Sequence, residues 1–282
     1  MNKINPYLNL IRFYNPIGFW LLLWPGFWGL FLQPGFNISD FTIILLGSFL
    51  TRSLGCAIND FFDSDYDRKV DRTKSRPIAS GQISKRNAAI FIVLLASICL
   101  CILSLTNTFT IKFVLLICIP LIILYPLSKR FLSAPQLILG VTFGLSLPIS
   151  YSIVHGNLNL DAIFLYVASI FWIIGYDSIY AMSDLKDDMK IKLNSLPIMF
   201  MENTTFVIFI SYSIFSIMLA FFAYKNGLGL LFLGLIFLIY QFYLQYELIK
   251  GGKFLEAFKS NSHIGLIIAM ILFIENQNEF FN

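Results

Sequence analysis

The feature that most constrains this chain is a series of apolar runs about as long as a bilayer is thick. Residues 204–223, TTFVIFISYSIFSIMLAFFA, contain no charged side chain, and a helix needs ~20 such residues to cross the hydrocarbon. Nine segments of this kind are expected, near 15–33, 41–59, 87–106, 110–126, 135–154, 162–180, 204–223, 227–247 and 262–280. The last has an uninterrupted apolar run of only 11 residues, Ile264 to Ile274, a length more typical of an interfacial or re-entrant piece, and is kept as a span. Only 13% of residues are charged, 57% are hydrophobic and the mean hydropathy is +0.76. A soluble domain carries about 25% charged residues. The expectation is an all-α polytopic membrane protein, one domain over 1–282, with about nine transmembrane helices bundled around a lipid-accessible cavity. The N-terminal stretch lacks the h-region and cleavage site of a signal peptide, so the first span is expected to be retained.

Basic residues orient this layout. With the N-terminus cytoplasmic, the inside stretches hold Lys3, Arg12, Arg68, Lys69, Arg72, Lys74, Arg76, Lys85, Arg86, Lys129, Arg130, Lys186, Lys190, Lys192, Lys250, Lys253 and Lys259. The other face receives Lys112 and Lys225 alone, and Arg52 falls within a span. Cytoplasmic loops carry the excess of Lys and Arg, so this asymmetry sets the direction. The net charge of +4 is therefore a topology signal and need not imply nucleic acid. Cys56, Cys99, Cys101 and Cys118 lie in apolar sequence without a CxxC pair and read as small buried hydrophobes. His155 and His263 are too far apart in sequence to found a zinc site. Gly140 and Gly144 give the GxxxG spacing that lets helices approach closely.

Charge is concentrated in two islands. In "CAINDFFDSDYDRKVDRTKSRPIASG" (56–81), five aspartates and five Lys/Arg fall between Asp60 and Arg76. The second is "YDSIYAMSDLKDDMKIKLNS" (176–195). Each follows an outside-to-inside span. Asp60, Asp63 and Asp67 stand at i, i+3 and i+7 and share one helix face, with Asn59 beside them; Asp177, Asp184 and Asp188 share another, with Tyr180 between. A carboxylate in lipid costs several kcal/mol unless it faces water or a cation. Oxygen-only donors select a hard ion, Mg²⁺ over Zn²⁺. Mg²⁺ is usually held by one or two carboxylates plus substrate phosphates, so two acidic faces can grip a diphosphate between them. The neighbouring arginines, Arg72 and Arg76 foremost, suit phosphate oxygens. Arg52 lies seven residues before Asn59 on the same face, and an intramembrane arginine is by default a functional-site hypothesis. It is placed to receive an anionic or polar group of a second substrate, or to pair with an aspartate in packing.

These residues resemble the UbiA superfamily of intramembrane prenyltransferases. "NDFFDSDYD" fits NDxxDxxxD, and "DSIYAMSDLKDD" fits the superfamily's second aspartate motif. "RFYNPIGFWLLLWP" (12–25), "RTKSRPIASG" (72–81), "YPLSKRF" (125–131) and "PQLILG" (135–140) support the match, from about residue 8 to 200 and more faintly to "AFKSNSHIGL" (257–266). The "YDxxYAMxDxxDD" form points to the hydroxybenzoate branch. The resemblance implies transfer of a polyprenyl group from polyprenyl diphosphate to the ring carbon ortho to the hydroxyl of 4-hydroxybenzoate. Diphosphate is released, as a step of ubiquinone biosynthesis in the bacterial inner membrane. Carried over by motif, Asn59, Asp60, Asp63 and Asp67 hold one Mg²⁺, and Asp177, Asp184 and Asp188 the other. Arg72, Arg76 and Lys129 bind diphosphate, Arg52 sits near the aromatic acceptor, and Asp184 or Asp188 takes the ring proton. The chain departs from the family pattern at Asn194, where lysine is usual, and at Leu145, where tryptophan is familiar. Other superfamily branches (menaquinone, haem O, chlorophyll-like) and a cation-coupled transporter are the alternative readings.

Overall fold

The computed structural model describes residues 5–70, 73–128, 132–190 and 193–276; the side chains of 125–128 are outside that description. All regular structure among these residues is helical. In chain order the helices are α1 (Asn5–Leu10), α2 (Ile17–Leu30), α3 (Ile38–Asp67), α4 (Lys85–Leu103), α5 (Thr108–Phe113), α6 (Ile119–Ser128), α7 (Pro135–Gly144), α8 (Ser146–His155), α9 (Leu160–Lys190), α10 (Leu196–Phe200), α11 (Thr204–Asn226), α12 (Gly229–Lys250) and α13 (Phe254–Asn276). A π-helical turn, Val114–Cys118, joins α5 to α6.

Seven helical stretches among the described residues are long and apolar enough to cross a membrane, and α7 with α8 forms one of them, Pro135–His155. The remaining two expected segments are shorter apolar helices, Ile17–Leu30 and Thr108–Leu124. Among the described residues, then, seven stretches reach full length where nine segments are expected. The final segment is a full-length helix of 23 residues. Its polar start, Phe254–His263, is helical as well and lengthens the short apolar run.

Two helices dominate the architecture by length. At 1.5 Å per residue, the 30 residues of α3 and the 31 of α9 each exceed the ~20 needed to span the hydrocarbon. Each has a surplus of about three turns. In α3 that surplus begins near Asp60, and in α9 near Tyr180. Both helices start at the other face: Asn37 and Asp40 form a reciprocal capping box at the head of α3, while Asp161 in the first turn of α9 pairs with Lys225 at 2.5 Å. The acidic ends thus emerge together.

The core is assembled around α9, which packs against α7, α8, α11 and α13. Trp28, Trp172 and Phe215 stack at its centre, with ring centroids 5.0–6.2 Å apart. A buried indole must still satisfy its N–H. Trp28 Nε1 donates to the Gly265 carbonyl at 2.9 Å, and Trp172 Nε1 to Asn261 Oδ1 at 2.9 Å. The Tyr212 hydroxyl reaches the same Asn261 oxygen at 3.1 Å, so α9, α11 and α13 are tied through one buried amide, while Trp28 ties α2 to α13 separately. The GxxxG expectation holds: a Cβ on Gly140 would lie 2.9 Å from the Ile170 side chain, and one on Gly144 3.0 Å from Ser169 and Tyr166. By contrast, α4 buries little and presents Ile90, Val93 and Leu94 outward. Cys56 and Cys118 are buried as expected, but Cys101 is exposed on that same outward-facing α4.

Candidate active site

The loop after α3 is a folded plug. Thr73, Ile78, Ala79 and Ile83 are buried, and Ile78 and Ile83 pack with Leu10, Ala57, Ala88 and Leu95 in a cluster separate from the main core. Arg68 Nε donates to the Ala79 carbonyl at 3.0 Å, and the Thr73 hydroxyl to the Asp67 carbonyl at 3.1 Å. These bonds fold residues 73–83 back over the end of α3 and deliver Arg76 to its carboxylates.

Arg76 Nη1 lies 3.1 Å from Asp60 Oδ1 and 3.0 Å from Asp67 Oδ2. From the other side Arg12, in the turn between α1 and α2, sets Nη2 at 2.7 and 2.8 Å from the two Asp60 oxygens. Two arginines and two aspartates thus form a neutral knot around a carboxylate only 1% exposed. Burial opposes the Arg76 charge, yet Asp60 and Asp67 outweigh it and raise its pKa above the usual guanidinium value. Tyr180 of α9 acts in the same direction. Through Tyr180 the second motif comes within electrostatic range of the first.

The helical stripes are visible in the pairing. Asp65, off the Asp60–Asp63–Asp67 face, is exposed and pairs with Lys85 at 3.1 Å. Asp187, off the Asp177–Asp184–Asp188 face, pairs with Lys190 at 2.9 Å. Asn59, Asp63, Asp177, Asp184 and Asp188 are all partly buried. No group of three His, Cys, Asp or Glu side chains among the described residues is gathered closely enough to enclose a metal. Arg72 and Lys129 lie outside the described residues. Asn194 is partly buried, and Ser195 beside it caps α10, its hydroxyl accepting from the Ile198 N–H at 3.4 Å.

Arg52 sits further along α3, between helices. Its Nη1 meets Cys56 Sγ at 2.7 Å and its guanidinium lies 5.9 Å from the Phe143 ring centroid. Nε is buried without a hydrogen-bond partner. A cleft of about 20 Å³ opens beside it, lined among others by Arg12, Asn15, Phe19, Phe49 and Ser53. That is room for one small polar group, so a ring-sized molecule enters only as these side chains move. Arg12, which the sequence marks only as one of the basic residues of the cytoplasmic stretches, thus joins the site through Asp60. The one available signal was its place at the head of "RFYNPIG".

Residues 22–266 match the model of the UbiA prenyltransferase family. This chain belongs to that family. Its relatives include a protein named 4-hydroxybenzoate octaprenyltransferase from Polynucleobacter asymbioticus, 40% identical over 75% of this chain and 74% of the relative. Another of the same name, from Vesicomyosocius okutanii subsp. Calyptogena okutanii, is 37% identical over 92% of this chain and 96% of its own. Among solved structures, the apo form of a UbiA homolog from Aeropyrum pernix K1 superposes with a TM-score of 0.80 at 23% identity, covering 91% of this chain and 97% of that one. A UbiA homolog from Archaeoglobus fulgidus bound to GPP and Mg²⁺ gives 0.75 at 18% identity, covering 95% and 99%. These likenesses establish the shared UbiA fold and its helical bundle.

Proposed function

We infer that this UbiA-family chain is a 4-hydroxybenzoate polyprenyltransferase. It moves a polyprenyl group from polyprenyl diphosphate to the ring carbon ortho to the hydroxyl and releases diphosphate, within ubiquinone biosynthesis. The observation that carries this reading is the emergence of two aspartate stripes at one end of α3 and α9, with Arg76 held by Asp60 and Asp67 and within electrostatic range of Tyr180. The names of these relatives support the acceptor.

The donor atoms suit Mg²⁺. They are carboxylate and amide oxygens, and the described residues close no three-carboxylate cage. That is the arrangement of an ion that takes one or two carboxylates and completes its shell with phosphate oxygens and water. When bound, Mg²⁺ neutralises charge on the departing diphosphate. We assign the stripe of Asn59, Asp63 and Asp67 to one ion and that of Asp177, Asp184 and Asp188 to the other, each ion taking one or two carboxylates of its stripe. Asp60, with both oxygens on Arg12 and one near Arg76, acts through those arginines.

Arg76, with Arg72 and Lys129, stabilises the leaving diphosphate as the C–O bond breaks and the electron pair departs with oxygen. The allylic carbon is then attacked by the ring carbon ortho to the acceptor hydroxyl. Asp184 or Asp188 removes the proton from that ring carbon, which restores aromaticity. Arg52, with its unpartnered Nε beside the cleft, takes the acceptor carboxylate. The excess of Lys and Arg on one face supports a bacterial inner-membrane chain with its N-terminus and both aspartate motifs on the cytoplasmic side.

The test is product formation by the purified protein in lipid. A panel of aromatic acceptors is offered with a polyprenyl diphosphate, with Mg²⁺ or with EDTA. Prenylated 4-hydroxybenzoate formed only with Mg²⁺ is expected. Diphosphate release with a different aromatic alone would move the chain to another branch of the family.

A further inference from the structure

We propose that Gly18 is a positioning residue for the acceptor, acting through Arg52; the proposal rests on the assignment of Arg52 to the acceptor carboxylate. Gly18 lies in the first turn of α2, buried, where alanine is intrinsically the better helix former. A glycine there needs a reason, and the structure supplies it. A Cβ on Gly18 would stand 2.5 Å from both Nε and Nη2 of Arg52 and 2.9 Å from its Cζ. The guanidinium rests directly on the bare backbone of α2.

That seat decides where the donors point. Nη1 is occupied by Cys56 Sγ, while Nε is held in the interior with no acceptor of its own. A buried guanidinium N–H left unpaired is costly, so this geometry is arranged for an oxygen that arrives with a ligand. The cleft at Arg52 has Phe19 and Phe49 in its wall together with Asn15 and Ser53. Apolar rings beside a cation match an aromatic carboxylate. With any side chain at position 18, the guanidinium must swing off α2. Arginine is flexible at its far end, so the fold accommodates that movement, but the donor leaves its line to the acceptor.

The experiment compares wild type with Gly18→Ala, Arg52→Ala and the double variant, each reconstituted in lipid. KM is measured separately for 4-hydroxybenzoate and for the polyprenyl diphosphate, and equilibrium binding is measured for 4-hydroxybenzoate and for its uncharged amide. Gly18→Ala is expected to raise the acceptor KM roughly 10-fold or more, the scale of one lost charge-assisted hydrogen bond. The prenyl-diphosphate KM and the kcat at saturating acceptor stay within about 3-fold, as for a loss of uniform binding. The binding preference for the carboxylate over the amide shrinks in parallel. In the Arg52→Ala background the Gly18 substitution adds nothing, because the group it displaces is gone. Equal acceptor KM in wild type and Gly18→Ala, or additive effects in the double variant, overturns the proposal while leaving the Arg52 assignment standing. An acceptor KM untouched by Arg52→Ala overturns both.

Discussion

Arg12 sets one guanidinium nitrogen 2.7 and 2.8 Å from the two carboxylate oxygens of Asp60, although 48 residues separate them in the chain. Asp60 is 1% exposed and holds Arg76 on its other side at 3.1 Å. Breaking such a buried pair from one side strands the remaining charges and costs about 3–5 kcal/mol. Asp60→Ala is therefore expected to lower stability by that amount, read from thermal or denaturant unfolding in detergent.

Arg12 also has a left-handed backbone, φ +60°, which a non-glycine residue adopts at a cost of about 1–2 kcal/mol. Arg12→Gly removes the pair but relieves the backbone, while Arg12→Ala removes the pair and keeps the strain. The glycine variant should be the more stable of the two by about 1 kcal/mol. Equal stabilities would show that the turn relaxes when the ion pair is lost.

Arg76 stays charged throughout the working range. Its folded-state pKa is raised, so its stabilisation is complete below the unfolded value and is lost only as pH climbs through the folded one. Both lie far above the working range. Melting temperatures between pH 6 and 9 should carry no contribution from its titration. Arg76→Lys keeps the charge but not the planar fork. It should raise the prenyl-diphosphate KM roughly 10-fold, and the stabilisation that the lysine retains should be lost only as pH rises above its ordinary value of about 10.4.

The contact of α7 with α9 is set by small residues. Leucine at Gly144 would overlap Tyr166 and Ser169, and valine at Gly140 would press on Ile170 and its carbonyl oxygen, 3.1 Å from a Cβ there. Each substitution should destabilise the bundle by about 1–3 kcal/mol. An unchanged unfolding transition in either variant would mean that the two helices separate without penalty.

Metal identity gives a further check. The oxygen-only donors predict that Mn²⁺ restores activity after EDTA treatment and that Zn²⁺ does so poorly. Turnover restored best by Zn²⁺ would point to ligands other than the two aspartate stripes.

Much of this arrangement was legible before the structure. The apolar runs, the two aspartate stripes at i, i+3, i+7 and i, i+7, i+11, and the small-residue face of α7 are all local patterns, and helix geometry turns them directly into faces. What local pattern could not supply was the partner of each charge. Asp60 stands in the same stripe as Asp63 and Asp67 but is claimed by Arg12, from the turn between α1 and α2. Nothing in the spacing of either residue encodes that meeting. The plug of residues 73–83 is equally hidden, because its burial depends on Leu10 and Leu95 arriving from α1 and α4. Asn261 is similar: its amide looks unremarkable in sequence, yet it receives Trp172 from α9 and Tyr212 from α11.

The central claim is that both aspartate stripes hold one diphosphate, and it is tested most directly by Asp63→Asn and Asp184→Asn. Each is assayed beside wild type for Mg²⁺-dependent diphosphate release with 4-hydroxybenzoate and a polyprenyl diphosphate. Each substitution alone should reduce release at least roughly 100-fold, with both variants folded and melting close to wild type. Near-wild-type release in either variant would contradict the two-stripe account.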